Sequence, residues 1–307
     1  MTRFVLTCLT LVALLFTSVA NAGLLRDRIE KHMQDKGKNA SLSQNIQVTR
    51  DIAYGQNPKQ RLDIYAPVNA KHSPVIVMVH GGAWKIGDKT MGKVFLNKVN
   101  RWVNQNFIFV SINYPMLPEY MAYEQAESVA TAIAYVQKNA TQWGGNPENL
   151  ILMGHSAGAH IVSLLSSNPQ LVSNAGGSPW LGTVSLDSAA MDVPKIMSNK
   201  HLGFYDEAFG SDSSIWQKAS PYHQLTQQAR PLLAVCSTQR ADKPCAQAEN
   251  YAIQAKRFNI RVEVLPQDLS HGEINDNLGL DNDYTRAVER FMASLNGDIA
   301  AQLAHIN

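Results

Sequence analysis

One doubly wound α/β domain, a mostly parallel sheet with helices on both faces, is what this sequence predicts. Short, nearly continuous apolar runs recur at residues 75–79, 107–112, 150–153 and 232–235. Runs of this length suit strands buried on both faces, as in a parallel sheet under helices. Helical stretches lie between them at 94–105, 123–142, 160–167 and 246–258. Strand alternating with helix gives parallel neighbours joined by crossovers.

Composition narrows the class. The 307 residues are 45% hydrophobic and 17% charged, which excludes disorder, collagen and coiled coil. With 27 Lys and Arg against 25 Asp and Glu, the net charge of +2 argues against a nucleic-acid binder living on phosphate neutralisation. The length suits one large domain or two small ones.

The first 22 residues read as a secretory signal peptide. Arg3 is a short positive region, 4–16 (FVLTCLTLVALLF) is the apolar stretch, and Val19-Ala20-Asn21-Ala22 ends in an A-x-A site before Gly23. A membrane anchor fits less well, because the run is short of the ~20 residues a span needs. Cys8 comes too early for a lipoprotein. The expected location is therefore periplasmic or secreted, with no transmembrane span after cleavage. An oxidising compartment leaves Cys236 and Cys245 as an even pair able to form a disulfide. The loop of about ten residues it would close is worth ~2–3 kcal/mol in the chain-entropy account. There is no C-x-x-C or H-E-x-x-H, so no metal site is expected.

Residues 23–38 read as a helix with Leu25, Ile29 and Met33 on one face, packed on the domain, and 39–44 as a polar linker. Strands are expected at 46–52 and 62–66, either side of the turn Gly55-Gln56-Asn57-Pro58. The catalytic domain is expected over 46–295, with 296–307 a C-terminal tail. Residues 168–225, rich in Ser, Asn, Gly and Pro, are irregular around one strand at 183–186. They are cap-like, placed to lie over the C-terminal edge of the sheet, where open α/β folds bind ligands. Trp84, Trp180 and Trp216 are candidates to line such a site, against the plainer reading as core.

Three places carry chemistry. Gly154-His155-Ser156-Ala157-Gly158 is a G-x-S-x-G between a strand at 149–153 and a helix at 159–167. A turn that sharp needs small residues two before and two after the serine, and it lifts the Ser156 hydroxyl clear of the sheet. His80-Gly81-Gly82-Ala83-Trp84 directly follows a strand. Its glycines let backbone N–H groups converge, so Gly82 and Ala83, joined by Ala157, are the expected oxyanion donors, each worth ~3–4 kcal/mol in a transition state.

The third is the base and acid. A serine needs an imidazole to take its proton. His271 follows a strand at 261–265 and comes last, as the order Ser, acid, His requires. His155 lies inside the elbow and His160 one helical turn beyond it, while His32, His72 and His305 fall in peripheral segments. The acid is expected after the strand at 232–235, where Asp242 fits. Asp187, at the end of an earlier strand, is second, and Asp268 is too near His271 in sequence. A Cys236–Cys245 bond would brace the loop carrying Asp242.

These motifs resemble the α/β-hydrolases, in particular the carboxylesterase, acetyl- and feruloyl-esterase and kynurenine-formamidase-like group. The likeness rests on His80-Gly81-Gly82-Ala83-Trp84 with Gly87-Asp88-Lys89, on Asn113-Tyr114-Pro115 and on Gly154-His155-Ser156-Ala157-Gly158. Tyr54-Gly55 and Leu62-Asp63-Ile64-Tyr65-Ala66-Pro67 add to it, and it extends by position to Asp242 and His271. The resemblance implies a Ser-His-Asp mechanism through an acyl-enzyme, without a cofactor. The first expectation is an exported serine esterase for small acyl or aryl esters, losing activity as its imidazole takes up a proton. The second is an N-formyl-kynurenine hydrolase, which the signal peptide disfavours. A silent binding module is a third, disfavoured because every catalytic position is filled. A lipase is a fourth, disfavoured by the lack of a long apolar lid.

Overall fold

A computed structural model of the protein describes residues 42–188 and 190–304. The expected signal peptide and the helix at 23–38 lie outside the described residues. The strands are β1 (Ile46–Ala53), β2 (Arg61–Pro67), β3 (Ser73–Val79), β4 (Ile108–Ile112), β5 (Gly145–His155), β6 (Gly182–Leu186), β7 (Leu232–Ser237) and β8 (Val262–Gln267). They form one sheet in the order β1-β2-β4-β3-β5-β6-β7-β8. β1 and β2 are antiparallel, and every pairing from β4 onward is parallel.

The apolar runs fill both faces, as their unbroken hydrophobicity requires. In β3, Val75, Val77 and Val79 join one core while Ile76 and Met78 join the other. Leu150 and Leu152 alternate with Ile151 and Met153 in the same way in β5. The first face is covered by α2 (Ala122–Asn139) and α3 (Ala157–Ser167), the second by α1 (Gly92–Trp102) and α10 (Asp283–Ala293). A third cluster packs Ala248 and Tyr251 of α8 (Pro244–Lys256) on Leu232 and Ala234 of β7.

Two regions differ from expectation. Residues 168–225 contain β6 and four short helices: α4 (Gln170–Asn174), α5 (Val193–Met197), α6 (Phe204–Phe209) and α7 (Ser213–Lys218). Side chains of Asp192 and Asp212 start two of them by accepting from the N–H of Lys195 and Ser214. The expected tail holds α11 (Gly297–Leu303), whose Ile299 and Leu303 are buried in the second core. Asp298 there accepts from Asn149 Nδ2 at 2.8 Å, tying the segment to β5. Among the described residues no helix is long and apolar enough to cross a membrane.

Candidate active site

The parallel strands deliver their C-terminal ends to one cleft of about 580 Å³. Gly81 and Gly82 come from β3, His155 and Ser156 from β5, Asp187 from β6, Arg240 and Asp242 from β7, and His271 from β8. This is where a doubly wound sheet leaves room for a ligand. Trp84, Ile86, Phe204 and Tyr205 line its apolar side.

Ser156 occupies φ 57°, ψ −116°, a strained conformation for a non-glycine residue. Its N–H donates to Leu186 O and its carbonyl accepts from His160 N, both at 3.0 Å, so sheet and helix pin the turn from either side. Close approach explains the flanking glycines. A Cβ on Gly154 would lie 2.4 Å from Gly158 O, and one on Gly158 would lie 2.2 Å from Val79 O. Among the described residues, the Ser156 hydroxyl makes no hydrogen bond.

The loop after β3 curls against this turn. Gly82, Ala83 and Trp84 take φ values of 123°, 51° and 59° in succession. A Cβ on Gly81 would come within 2.8 Å of Ser156 Cβ, so the loop lies directly on the Ser156 turn. The amides of Gly82, Ala83 and Ala157 border the cleft, and none donates to another described residue. Three free donors beside one hydroxyl can hold a developing oxyanion.

Trp84 holds the curl from behind. Its indole N–H donates to His160 Nδ1 at 3.2 Å, and His160 Nε2–H donates to Ala219 O at 2.7 Å. Burial pushes His160 down to about 4, so it stands as a neutral structural link to the cap. Trp180, bonded to Thr183 Oγ1, and Trp216, bonded to Gly210 O, are not in the cleft wall.

Gly87-Asp88-Lys89 and Asn113-Tyr114-Pro115 turn out to be the brace of this loop. Asn113 accepts from Lys89 N at 2.6 Å and donates to Asp88 Oδ2 at 2.8 Å. The Lys89 ammonium meets the fully buried Asp63 and the exposed Asp51 at 2.7 Å each, and Arg50 pairs with the second oxygen of Asp63 at 3.1 Å. Burial alone would lower Lys89, but Asp63 and Asp51 more than offset it and keep it raised. Tyr114 stacks on His80 and donates to its carbonyl at 2.8 Å.

His271 begins α9 (His271–Asp276), whose Ser270 cap and Glu273 form a capping box. Ser237 Oγ donates to Leu269 O at 2.6 Å and fixes the approach to that loop. His271 Nδ1 donates to a carboxylate at 2.6 Å, and that carboxylate is Asp187. The expected acid, Asp242, does not reach His271. Both of its oxygens are held by Arg240, at 3.0 and 2.5 Å. The correction has a local reason: Asp187 directly follows the last residue of β6 and is pinned there by the Ser237 N–H at the end of β7, whereas Asp242 lies five residues beyond β7 and is taken by Arg240.

Asp187 is fully buried, with φ 60°. Burial alone would raise its pKa, but His271, the Ser237 N–H at 2.8 Å and Arg240 at 2.9 Å together take it below the usual carboxylate value. Arg240 was not foreseen as part of the site. Neither was His155, whose ring lies 4.6 Å from that of His271 and whose Nε2–H donates to the His271 carbonyl at 2.9 Å. Burial, then the neighbouring His271, push His155 down to about 3, so it stays neutral under the base. Cys236 and Cys245 are joined, with S–S 2.08 Å and Cα–Cα 5.1 Å, across the loop that carries Arg240 and Asp242.

Comparison with known proteins agrees with this geometry. The BD-FAE family model matches residues 62–178. A probable isoprenylcysteine alpha-carbonyl methylesterase, ICMEL1, of Oryza sativa subsp. japonica is 36% identical over 118 residues, 38% of this chain and 27% of that protein. Esterase LipQ of Mycobacterium tuberculosis is 28% identical over 221 residues, 66% of this chain and 52% of it. The matched stretches thus span about half or less of these relatives. Esterase B of Lactobacillus rhamnosus superposes with TM-score 0.68 at 15% identity, covering 94% of this chain and 95% of that one. The chain has the fold of that esterase, a mostly parallel eight-stranded sheet flanked by helices. Residues 62–178 are similar to the BD-FAE family, and the formamide-hydrolase alternative gains nothing from these three.

Proposed function

We propose that this protein is a serine hydrolase of carboxylic esters with small acyl or aryl groups. The observation that carries the reading is one cleft holding Ser156, three free amides and the His271–Asp187 pair. Ser156 Oγ attacks the ester carbonyl as His271 Nε2 takes its proton, and Asp187 orients and stabilises the imidazolium. The amides of Gly82, Ala83 and Ala157 hold the oxyanion. Collapse expels the alcohol with the proton from His271 and leaves an acyl-serine. Water, deprotonated by the same imidazole, then releases the acid and restores the hydroxyl.

Small esters suit the cleft, whose volume lies in the range of small-molecule sites. Export completes the reading. The leader with its A-x-A site and the Cys236–Cys245 bond support a periplasmic or secreted location.

The test is turnover of p-nitrophenyl acetate, butyrate and octanoate, with and without a serine-directed phosphonate. Phosphonate-sensitive hydrolysis of the shorter esters is expected, with Ser156→Ala lower in kcat on the order of 10⁶-fold. Undiminished turnover by Ser156→Ala, or a phosphonate adduct on another residue, overturns the reading.

A further inference from the structure

Arg240 lies outside the triad but within its electrostatics. Its Nη1 donates to Asp187 Oδ2 at 2.9 Å and to the Asp187 carbonyl at 3.0 Å, and lies 3.1 Å from His271 Nδ1. Its Nε and Nη2 fork onto both oxygens of Asp242. One guanidinium therefore joins the end of β6 to the loop after β7. The same Asp187 oxygen accepts from both Arg240 and His271.

Resting on the triad reading above, we propose that Arg240 is a positioning residue for ester hydrolysis: it fixes the Asp187 carboxylate, and Asp242 balances its charge. A fully buried carboxylate needs partners besides the imidazole, and the Ser237 N–H supplies a neutral one on its other oxygen. Arg240 adds the charged partner, so that with the Ser237 N–H on one oxygen and the guanidinium on the other Asp187 stays ionised and cannot rotate about its last torsion. The cation has a cost, because it opposes the imidazolium that forms beside it during acylation. Asp242 offsets that cost. At the transition state the two carboxylates balance the guanidinium and the imidazolium.

Other charged or titratable groups face His271 in different states. His155, from the end of β5, is held neutral by burial. Glu273, on the same helix as His271, is engaged with Ser270, and Asp268 with Gln239. Asp276, at the far end of α9, pairs with Lys93 at 3.0 Å. Arg240 and Asp242 are thus the pair whose removal changes the field at the base in opposite senses. The disulfide across their loop holds both at fixed reach.

The experiment measures kcat, KM and the pH profile of kcat/KM on p-nitrophenyl butyrate for the full chain and for Arg240→Gln, Arg240→Lys and Asp242→Asn. Arg240→Gln should lower kcat ~10- to 100-fold with little change in KM, since a misplaced triad acid costs turnover more than binding. Its acid limb should move to higher pH, on the order of half a unit or more, because the imidazolium loses a neighbouring cation. Asp242→Asn should move the limb the opposite way, having left that cation unbalanced. Arg240→Lys, with the charge but no fork, should keep the limb near its original position while recovering only part of kcat. Limbs that stay fixed in Arg240→Gln and Asp242→Asn, or that move in the same direction, overturn the inference. Ser156→Ala run alongside separates the two claims. If it retains turnover the serine-esterase reading fails, whereas an inactive Ser156→Ala with unmoved limbs removes only the role of Arg240.

Discussion

On one side of the cleft the chemistry is made of backbone. Gly82, Ala83 and Ala157 present amides, and Ser156 is aimed by a strained turn between β5 and α3. On the other side it is made of side chains: His271, Asp187, Arg240 and Asp242 come from three strand ends and meet only through charged hydrogen bonds. The first wall depends on how closely chain can approach chain. The second depends on which groups are ionised and what holds their loops. Each should therefore fail under a different insult.

A single methyl group should damage the backbone wall most. Gly158→Ala places a Cβ 2.2 Å from Val79 O and 2.5 Å from His80 O, neither of which can swing aside. A stability loss on the order of 3 kcal/mol is expected in urea unfolding, with activity falling alongside. An unchanged midpoint would mean that the turn is looser than its geometry.

Acid should strain both walls from behind. His155 and His160 are held at about 3 and about 4, against an ordinary value of 6.5. Between those values the unfolded chain binds more protons than the folded one, so stability is full above about 6.5 and falls as pH drops towards 4. Unfolding free energy measured across that window should decline, and His160→Gln should flatten part of the slope. A level profile would contradict the buried neutral assignment.

Cutting the cross-link should spare the backbone wall and loosen the other. Changing Cys236 and Cys245 together to Ala should cost ~2–3 kcal/mol in urea unfolding, from loop-closure entropy. Reactivity of Ser156 toward a phosphonate should fall less than ester turnover does, because the nucleophile turn is anchored elsewhere. Equal losses in both would show that the walls are not independent.

The same contrast explains what was legible in the sequence. The nucleophile turn and the glycine loop are contiguous motifs. Their glycines are dictated by contacts a few residues away or by the adjoining strand end, so the meeting of Ser156, Gly82, Ala83 and Ala157 at one cleft was legible in the sequence. Asp187 could not be ranked above Asp242, because the choice depends on the Ser237 N–H pinning Asp187 from the neighbouring strand and on Arg240 having already claimed Asp242. The one local signal was that Asp187 directly follows the last residue of a buried strand, as His80 does. Residues 168–225 read as irregular since their helices are only five or six residues long, too short for a periodic stripe. In α10, Tyr284, Val288, Phe291 and Met292 do carry helical spacing behind an Asn282 cap, and that pattern was open to reading.

The most direct test of the account compares Asp187→Asn with Asp242→Asn at saturating p-nitrophenyl butyrate. Asp187→Asn should lower kcat on the order of 10⁴-fold with the fold intact, the loss expected when a triad acid can no longer set the histidine tautomer. Asp242→Asn should stay within about tenfold of the parent, since it acts through Arg240 alone. The reverse order, with Asp242→Asn the crippled variant and Asp187→Asn nearly normal, would contradict the site as described.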